Sequence, residues 1–295
     1  MKAVLFPGQG SQLVGMGSEF YNNFDIVKQI FLEADDILGF KISKVILEGP
    51  DSELKLTQNT QPAILIVSFS IFTILKKKFN YNFSNVKFLA GHSLGEYSAL
   101  VCSNSLTFKD ALYLLYERGK AMQEAVPVGR GGMLAVLGSE IEEIKNYIGE
   151  LKNDGVCEIA NDNANGQTIV SGNIESIDEL QQVLKKNKKK SIKLQVSAPF
   201  HCSLMNKAAN VMKDKINSVK FEKPEFEIVS NVTSTPTIDP SLIKKLLFEQ
   251  IYSKVRWRES ILYMKNNSVK EFIEIGPGKV LTGLGKRIMP DSNSF

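Results

Sequence analysis

The chain has 295 residues, with 36 Lys and Arg against 32 Asp and Glu, three Cys and only two His. Its hydrophobic content of 43% and charged content of 23% are typical of a folded globular protein and exclude disordered, collagen-like and disulfide-stapled chains. A net charge of +4 is too small to indicate nucleic acid binding, but it is compatible with an acidic partner. The length favours one large domain with a smaller insertion.

Cysteine usage and the N-terminus indicate a cytoplasmic protein. Cys102, Cys157 and Cys202 are an odd number without a CxxC pair, which suits a reducing compartment and offers no structural zinc site. The chain reaches Pro7-Gly8 before the apolar core of a signal peptide could form. The most apolar run, Ala63–Leu75, is 13 residues long and too short to cross a bilayer, so we expect a buried helix there.

The first part of the chain has an α/β pattern. Lys2–Phe6 is an apolar strand that runs into a glycine-punctuated loop, and the strand Val86–Ala90 runs directly into Gly91-His92-Ser93-Leu94-Gly95. Helical periodicity resumes at once, and strand–turn–helix order of this kind builds a parallel sheet. The predicted helices of this part are Asp25–Leu38, Gln61–Lys76, one that includes Tyr97 to Val101, and Thr107–Ala125.

A change of composition at Gly129-Arg130-Gly131-Gly132 marks an insertion. The segments that follow are ordered βαββαβ, the ferredoxin-like pattern, and Ala198-Pro199 closes them. We therefore expect a catalytic core made of residues 1–127 and 197–295, with an inserted subdomain of residues 128–196. The predicted elements of the insertion are the strands Met133–Leu137, Cys157–Asn161, Gln167–Ser171 and Ser191–Val196 and the helices Glu140–Leu151 and Ile174–Lys186.

The rest of the chain returns to helices and strands. The predicted elements are the helices Ser203–Val219 and Pro240–Tyr252, the strands Glu227–Ser230 and Val269–Ile275, and a last helix opened by Gly276-Pro277-Gly278. The tail after Pro290 is expected to fray.

The segment Gly91-His92-Ser93-Leu94-Gly95 fits GxSxG, the pattern of a nucleophile elbow. Such a turn is strained and needs glycines two residues either side of the serine, which it lifts clear of the sheet. It also leaves the N–H of Leu94 free at a helix N-terminus to bind an oxyanion. The alternative is an ordinary glycine-flanked turn, but the position between an apolar strand and a helix favours the elbow.

A serine nucleophile needs a base, and the chain offers two histidines. His92 is adjacent to Ser93, and neighbouring side chains on a sharp turn point apart, so we expect His92 to pack under the turn and hydrogen-bond it. His201 follows Ala198-Pro199-Phe200 in a loop after the insertion, and its position after the serine has the chain order of α/β-hydrolases. A histidine that is merely satisfied in the core or at the surface is the alternative.

Arg118 interrupts an apolar helical stripe formed by Ala111, Leu115 and Met122. A buried arginine must be paired, because an unpaired buried charge costs several kcal/mol. Its partner could be an internal Asp or Glu, or it could be the carboxylate of a ligand, bound through two hydrogen bonds.

These segments resemble the malonyl-CoA:acyl carrier protein transacylases of bacterial fatty-acid synthesis. The resemblance covers nearly the whole chain and lies in ordered blocks. The blocks are Phe6-Pro7-Gly8-Gln9-Gly10-Ser11-Gln12, Thr60-Gln61-Pro62-Ala63, the Gly91–Gly95 elbow with Glu96-Tyr97, Arg118-Gly119 with Met122-Gln123-Glu124-Ala125, Ala198-Pro199-Phe200-His201 and Gly276-Pro277-Gly278-Lys279-Val280-Leu281.

The resemblance implies an α/β-hydrolase-like core with a parallel sheet and an inserted ferredoxin-like βαββαβ subdomain. It also implies Ser93 as nucleophile, His201 as base and Arg118 as the clamp for the free malonate carboxylate. The further residues implied are the backbone amides of Gln9 and Leu94 as the oxyanion hole, Gln61, Met122 and Phe200 as substrate contacts, and the main-chain carbonyl of Gln250 as the group that orients the histidine.

The activity implied is ping-pong transfer of malonyl from malonyl-CoA, through malonyl-Ser93, to the phosphopantetheine thiol of an acidic acyl carrier protein. We expect a cytoplasmic monomer without bound cofactor or metal that binds neither nucleic acid nor a membrane. The alternatives are a serine thioesterase on the same elbow, a discrete acyltransferase that serves a polyketide synthase, and a non-catalytic carrier-binding protein. A thioesterase has no general need for a carboxylate clamp, so Arg118 argues against it.

Three positions depart from the pattern of the family. Asn165 stands where relatives often have Pro, Ser234 where Ala is usual, and Arg256 where Gln is frequent. We expect these positions to touch the pocket rim and the side on which the carrier docks.

Overall fold

We describe the protein from a computed structural model, which covers residues 1–196, 198–291 and 294–295. The strands are β1 (Lys2–Phe6), β2 (Val86–Gly91), β3 (Gly131–Leu137), β4 (Cys157–Ala164), β5 (Gln167–Asn173), β6 (Lys190–Lys193), β7 (Glu227–Val229), β8 (Pro236–Thr237) and β9 (Glu271–Glu274). The helices are α1 (Ser18–Asn23), α2 (Asp25–Leu38), α3 (Ile42–Glu48), α4 (Asp51–Leu54), α5 (Thr57–Lys77), α6 (Gly95–Cys102), α7 (Phe108–Glu124), α8 (Ile141–Gly149), α9 (Ile174–Lys186), α10 (Asn206–Ser218), α11 (Pro240–Gln250), α12 (Trp257–Asn266) and α13 (Val280–Ile288).

The first sheet, sheet A, has the order β8-β7-β2-β1-β9. Strands β7, β2, β1 and β9 are parallel, and only the short β8 at the edge is antiparallel to its neighbour. β1 is apolar at nearly every position because helices cover both faces of the sheet: Val4 and Phe6 pack into one core layer, and Ala3 and Leu5 into the other. The predicted α/β class with a parallel sheet is confirmed.

The second sheet, sheet B, has the order β4-β5-β3-β6 and is antiparallel throughout. Leu134, Val136 and Val170 pack with α8 and α9 on one face, whereas Met133, Ala135 and Ile169 on the other face join the main core. All four strands come from one continuous stretch, and the predicted βαββαβ order is confirmed. The end predicted for the insertion, at 196/197, involves Ser197, which lies outside the described residues.

The register of sheet A brings three loops together. Phe6 pairs with Gly91 and Ala90 pairs with Val229, so β1, β2 and β7 end at the same level. Because these strands are parallel, the segments that follow them emerge side by side at the carboxyl edge of the sheet, where α/β proteins place their sites. The segments after the three strands begin at Pro7, His92 and Ser230.

Helix α5 is longer than the apolar run that predicted it. Its 21 residues pass a test for a membrane span by length and composition, but 78% of its most apolar window is buried inside the protein. It is therefore the core helix that the sequence predicts. Lys76 and Lys77 in its last turn interact favourably with the partial negative charge at the C-terminus of the helix.

Several boundaries differ from the predicted ones for local reasons. α7 begins after Thr107, whose side chain accepts a hydrogen bond from the N–H of Asp110, as a helix cap does. β6 ends at Lys193 rather than Val196, and α10 begins only after a 3-10 turn at Ser203–Met205. The sequence patterns did not predict α1, α3, α4, α12 or the two-residue strand β8.

The expectation of a frayed tail is wrong for its last two residues. Phe295 stacks on Phe272 with ring centroids 4.7 Å apart, and the N–H of Phe272 donates to the carbonyl oxygen of Ser294 at 2.7 Å. Ser292 and Asn293 lie outside the described residues.

Candidate active site

Ser93 lies in a sharp turn between β2 and α6. Its φ of 53° is in the left-handed region, which a non-glycine residue seldom adopts. A Cβ on Gly91 would lie 1.9 Å from the backbone of Gly95, and a Cβ on Gly95 would lie 2.3 Å from the carbonyl oxygen of Phe6. Both glycines are therefore required by close backbone approach, which is the geometry of a nucleophile elbow.

The structure brings His201 to Ser93 across 108 positions of sequence. Ser93 Oγ lies 2.7 Å from His201 Nε2, and His201 Nδ1 lies 2.9 Å from the carbonyl oxygen of Gln250. Because a carbonyl can only accept, Nδ1 carries the proton and Nε2 is left as the acceptor for the serine hydroxyl. The imidazole is thus held in the tautomer that a general base needs.

The electrostatic surroundings keep His201 neutral. Burial first, and the nearby positive charge of Arg118 second, lower the pKa of His201 from 6.5 to about 3. A neutral imidazole is ready to take a proton at physiological pH, and a hydrogen bond to Gln250 partly opposes the shift.

His92 has a different partner from the predicted one. Its Nε2 lies 2.8 Å from Oδ1 of Asn163 on β4, and its ring packs 5.5 Å from that of Trp257. The described hydrogen bond of this side chain runs to sheet B, and none to the predicted partner, the turn itself, is found among the described residues. His92 therefore links the elbow to that sheet.

Arg118 is 1% exposed, and its hydrogen bonds within the described residues all go to neutral oxygens. Its Nη1 donates to Gln61 Oε1 at 2.8 Å, and its Nη2 donates to Gln250 Oε1 at 2.9 Å and to Ser93 Oγ at 3.2 Å. Nε has no partner within the part of the chain that the structure describes, and no described carboxylate forms an ion pair with this guanidinium. Of the two partners considered from the sequence, an internal acid in direct contact is thus not found among the described residues, although the buried Glu96 acts electrostatically on Arg118 at longer range.

Two backbone N–H groups near Ser93 are unused. Those of Gln9, in the loop after β1, and Leu94, at the start of α6, donate to no acceptor among residues 1–196, 198–291 and 294–295. Gln9 lines the same cavity as Ser93, and Leu94 directly follows the serine in the turn. Free N–H groups beside a nucleophile can stabilise an oxyanion.

A cavity of about 260 Å³ opens onto Ser93 between the two sheets. The predicted residues Gln9, Gln61, Arg118, Met122, Phe200 and His201 all line it with Ser93, whereas Leu94 and Gln250 are not among its lining residues. Gln61 Nε2 also contacts Met122 Sδ at 3.8 Å. The opposite wall was not predicted from the sequence as binding surface and consists of Met133, Asn161, Asn163, Gln167, Ile169, Leu194 and Val196 together with His92.

Asn231 is a further residue of the elbow that sequence reasoning missed. Its Oδ1 accepts from the N–H of Ser93 at 2.7 Å, and its Nδ2 donates to the carbonyl oxygen of Gly91 at 2.7 Å. One signal was available: Asn231 is a polar residue that comes directly after the buried end of a predicted parallel strand, where site residues collect.

The structure also bears on the metal site and on the three positions that depart from the family pattern. Within the described residues, no three His, Cys, Asp or Glu side chains group in a way that could hold a metal ion. All three cysteines are described, and all are free. None of Asn165, Ser234 and Arg256 lines the cavity; Arg256 forms an ion pair with Glu259 at 2.7 Å.

With this geometry in view, the chain can be compared with known proteins. Residues 4–292 match the acyl transferase domain family. The chain is 43% identical to the malonyl CoA-acyl carrier protein transacylase of Bacillus subtilis over 97% of its own length and 90% of the relative's. It superimposes with a TM-score of 0.96 on an acyl-carrier-protein-S-malonyltransferase from Bartonella henselae, at 42% identity over 99% and 93% of the two chains.

A further solved structure is a malonyl-transacylase in complex with a type II polyketide synthase acyl-carrier protein. Its TM-score is 0.94, at 38% identity over 98% of this chain and 93% of that chain. The match therefore extends over the whole fold in sequence and in structure. The chain belongs to the acyl transferase domain family, among the malonyl CoA-acyl carrier protein transacylases.

Proposed function

We propose that this chain transfers a malonyl group from malonyl-CoA to the phosphopantetheine thiol of an acyl carrier protein, through a malonyl-Ser93 intermediate, and so supplies fatty-acid elongation. The observation that carries the proposal is a serine–histidine pair beside a buried arginine whose hydrogen bonds, among the residues that the structure describes, all go to neutral oxygens. The names of relatives at 38% to 43% identity support it.

In the first half-reaction, Ser93 Oγ attacks the thioester carbonyl while His201 Nε2 takes the hydroxyl proton. The N–H groups of Gln9 and Leu94 donate to the oxyanion that forms, and removing one such donor typically lowers the rate by about 10²–10³. Collapse of the tetrahedral intermediate breaks the C–S bond, and the imidazolium returns its proton to the departing coenzyme A sulfur. Malonyl-Ser93 remains.

The second half-reaction runs the same steps in reverse order with another thiol. His201 deprotonates the phosphopantetheine thiol, whose sulfur attacks the malonyl-Ser93 ester, and the proton then returns to Ser93 Oγ. The carbonyl oxygen of Gln250 keeps the imidazole in one tautomer and orientation throughout.

The guanidinium of Arg118 is the group proposed to select malonyl. A carboxylate on the acyl group would supply the negative partner that this arginine lacks among the described residues, and a planar guanidinium suits two parallel hydrogen bonds to it. Gln61, Met122 and Phe200 would line the acyl pocket around it.

The wider setting is part of the proposal. We infer a cytoplasmic monomer with residues 1–127 and 197–295 as its catalytic core and residues 128–196 as an inserted subdomain. It needs no bound cofactor, and its +4 charge suits an acidic carrier.

Intact-mass spectrometry tests the function directly. The protein is mixed with malonyl-CoA, with and without a phosphopantetheinylated acyl carrier protein. We expect a malonyl adduct on Ser93 that disappears as malonyl-carrier forms, and no adduct on the Ser93→Ala variant. Release of coenzyme A at one rate with or without carrier, with no acylated carrier formed, would instead mean a thioesterase. The absence of any adduct in the wild type would mean a non-catalytic binding protein.

A further inference from the structure

Glu96 is a buried acid next to the elbow that the proposed mechanism does not use. It lies in the first turn of α6 and is 2% exposed. Its Oε2 accepts from the backbone N–H of Asn231 at 3.1 Å and from Nε2 of Gln250 at 2.7 Å. Burying a carboxyl group is unfavourable unless it is hydrogen-bonded, and these two contacts meet that need. They do not explain why an acid lies at this position.

The contact with Gln250 decides which end of that carboxamide faces Arg118. Gln250 Nε2 donates to Glu96 Oε2 and to the carbonyl oxygen of Ser93 at 3.0 Å, while its Oε1 accepts from Arg118 Nη2 at 2.9 Å. A carboxamide turned the other way would place N–H groups against the guanidinium and an oxygen against two acceptors. Glu96 therefore favours one orientation of Gln250.

The orientation of Gln250 in turn positions the guanidinium. Arg118 Nη2 is held by Gln250 Oε1 and Nη1 by Gln61 Oε1, so two amide oxygens set the plane of the group beside Ser93. Both amides are buried. Without a fixed Gln250, the guanidinium would keep one amide contact and lose part of its alignment with an acyl carboxylate.

We propose that Glu96 is a positioning residue that acts through the Gln250 carboxamide on Arg118 and so sets the preference for acyl groups that carry a free carboxylate. The proposal rests on the proposed function. It assigns Glu96 no contact with the substrate.

The charge state of Glu96 fits this task. Burial raises the pKa of Glu96 to about 7, against the opposing effects of Asn231, Gln250 and Arg118. Both donors meet the same oxygen, Oε2, which accepts hydrogen bonds whether the acid is charged or neutral. Near pH 7 both forms are populated; the neutral one leaves the charge of Arg118 available for the ligand, and Tyr97 interacts electrostatically with both groups. A glutamine could present the same carbonyl oxygen.

The test compares kcat/KM for malonyl-CoA and acetyl-CoA in Glu96→Ala and Glu96→Gln. Because a misplaced group of about 1 Å can cost two orders of magnitude in rate, we expect Glu96→Ala to lower the malonyl-to-acetyl ratio about 10- to 100-fold. Glu96→Gln should return the ratio to within about fivefold of the wild type, since it keeps the acceptor. In an Arg118→Ala background, Glu96→Ala should change the ratio no further.

Ser98→Ala is the matched control, because Ser98 is a buried polar residue of the same helix whose Oγ has no partner in the described part of the chain. The malonyl-to-acetyl ratio of kcat/KM in Ser98→Ala should equal that of the wild type. If Glu96→Ala does not fold, Gln250→Leu serves instead. This variant removes the carboxamide between Glu96 and Arg118 and keeps the main-chain carbonyl that faces His201, and its malonyl-to-acetyl ratio must also fall.

An equal loss for both substrates in Glu96→Ala, or a glutamine variant as impaired as the alanine one, overturns the inference. An unchanged ratio in Gln250→Leu does the same. These results are distinct from failure of the proposed function, which would appear as a wild-type protein that forms no malonyl-Ser93 or passes no malonyl to the carrier.

Discussion

Ser93 and His201 both hold their backbone in the left-handed region, with φ values of 53° and 59°. A non-glycine residue in this region is strained by about 1–3 kcal/mol and persists only where its surroundings fix it. For Ser93 those surroundings are Asn231, which accepts from its N–H, and Gln250, which donates to its carbonyl oxygen. Both residues proposed to react thus carry this strain, which other non-glycine residues of the chain, such as Ser234, share.

At the same scale, Arg118→Ala should separate the two acyl donors. We expect malonyl transfer to fall about a thousandfold and acetyl transfer to stay within tenfold of the wild type, because only malonyl brings a carboxylate to the guanidinium. Arg118→Lys keeps the charge without the planar fork and should lie between them. The measurement is steady-state kcat/KM with each donor and one carrier. Equal losses for both donors would mean that Arg118 is only structural.

The low pKa of His201 gives a pH prediction. Since burial and Arg118 lower it from 6.5 to about 3, the imidazole stays neutral as pH falls, and kcat/KM should not decline as pH drops from 7.5 to 5. Glu96 titrates in this window, because its pKa is raised to about 7. The profile is therefore also recorded on Glu96→Gln, in which that titration is absent. An acid limb near pH 6.5 in both proteins would contradict the prediction.

At the scale of elements, α5 and α7 approach each other closely at Gly119, the residue after Arg118. A Cβ on Gly119 would lie 2.6 Å from both Gln58 Cα and the carbonyl oxygen of Thr57. No side chain fits there, so the glycine sets how near α7 lies to α5. Gln61 on α5 and Arg118 on α7 form their hydrogen bond across this contact.

Gly119→Ala should therefore impair both stability and malonyl transfer. We expect a loss of about 1–3 kcal/mol in the free energy of unfolding, as for other overpacked sites, and a larger loss of malonyl than of acetyl transfer. Urea denaturation and the two kcat/KM values measure this. Gly283→Ala in α13, where an added Cβ meets nothing within 4 Å, should instead gain about 0.5–1 kcal/mol. Equal effects of the two substitutions would refute the role of close packing.

The elements differ in how far their sequences could predict them. β1, β2, α5 and α7 have strong periodicity and clear punctuation, such as the cap at Thr107, and their predicted positions are close to those observed. α3 and α4 have seven and four residues, too few for a helical period to stand out. β6 ends at Lys193, and beyond it, within the described residues, only the N–H of Leu194 still donates to β3, at the carbonyl oxygen of Met133; how far this pairing reaches depends on the neighbouring strand, which no local pattern contains.

At the scale of the whole molecule, β4 of sheet B is hydrogen-bonded to the segment before α12, which packs against sheet A. The N–H of Val255, just before α12, donates to the carbonyl oxygen of Ala160, and the N–H of Asp162 donates to that of Val255. Asn161 and Asn163, next to these hydrogen bonds in β4, line the cavity, and the side chain of Asn163 is hydrogen-bonded to that of His92. Residues almost a hundred positions apart make this contact, so their pairing could not be predicted from the sequence, although the strand that contains Ala160 could be.

An ion pair between Arg258 of α12 and Asp162 of β4 lies next to the backbone hydrogen bonds at Val255. Asp162 accepts two hydrogen bonds at 2.9 Å from the guanidinium, and the two side chains are 2% and 27% exposed. We expect Asp162→Ala to lower the free energy of unfolding by about 2 kcal/mol, because it leaves a half-buried arginine without its partner. Activity should fall as well, since Asn163 and His92 lose their support.

Two controls isolate this pair in urea denaturation. Glu142→Ala breaks the exposed pair with Lys145, whose side chains are 74% and 54% exposed, and should change the free energy of unfolding by less than about 0.5 kcal/mol. The double variant Asp162→Leu/Arg258→Met removes both charges together and should be more stable than Asp162→Ala, since no charge is left unpaired. If Asp162→Ala unfolds as easily as Glu142→Ala, the backbone hydrogen bonds at Val255 hold β4 to the segment before α12 without help from this ion pair.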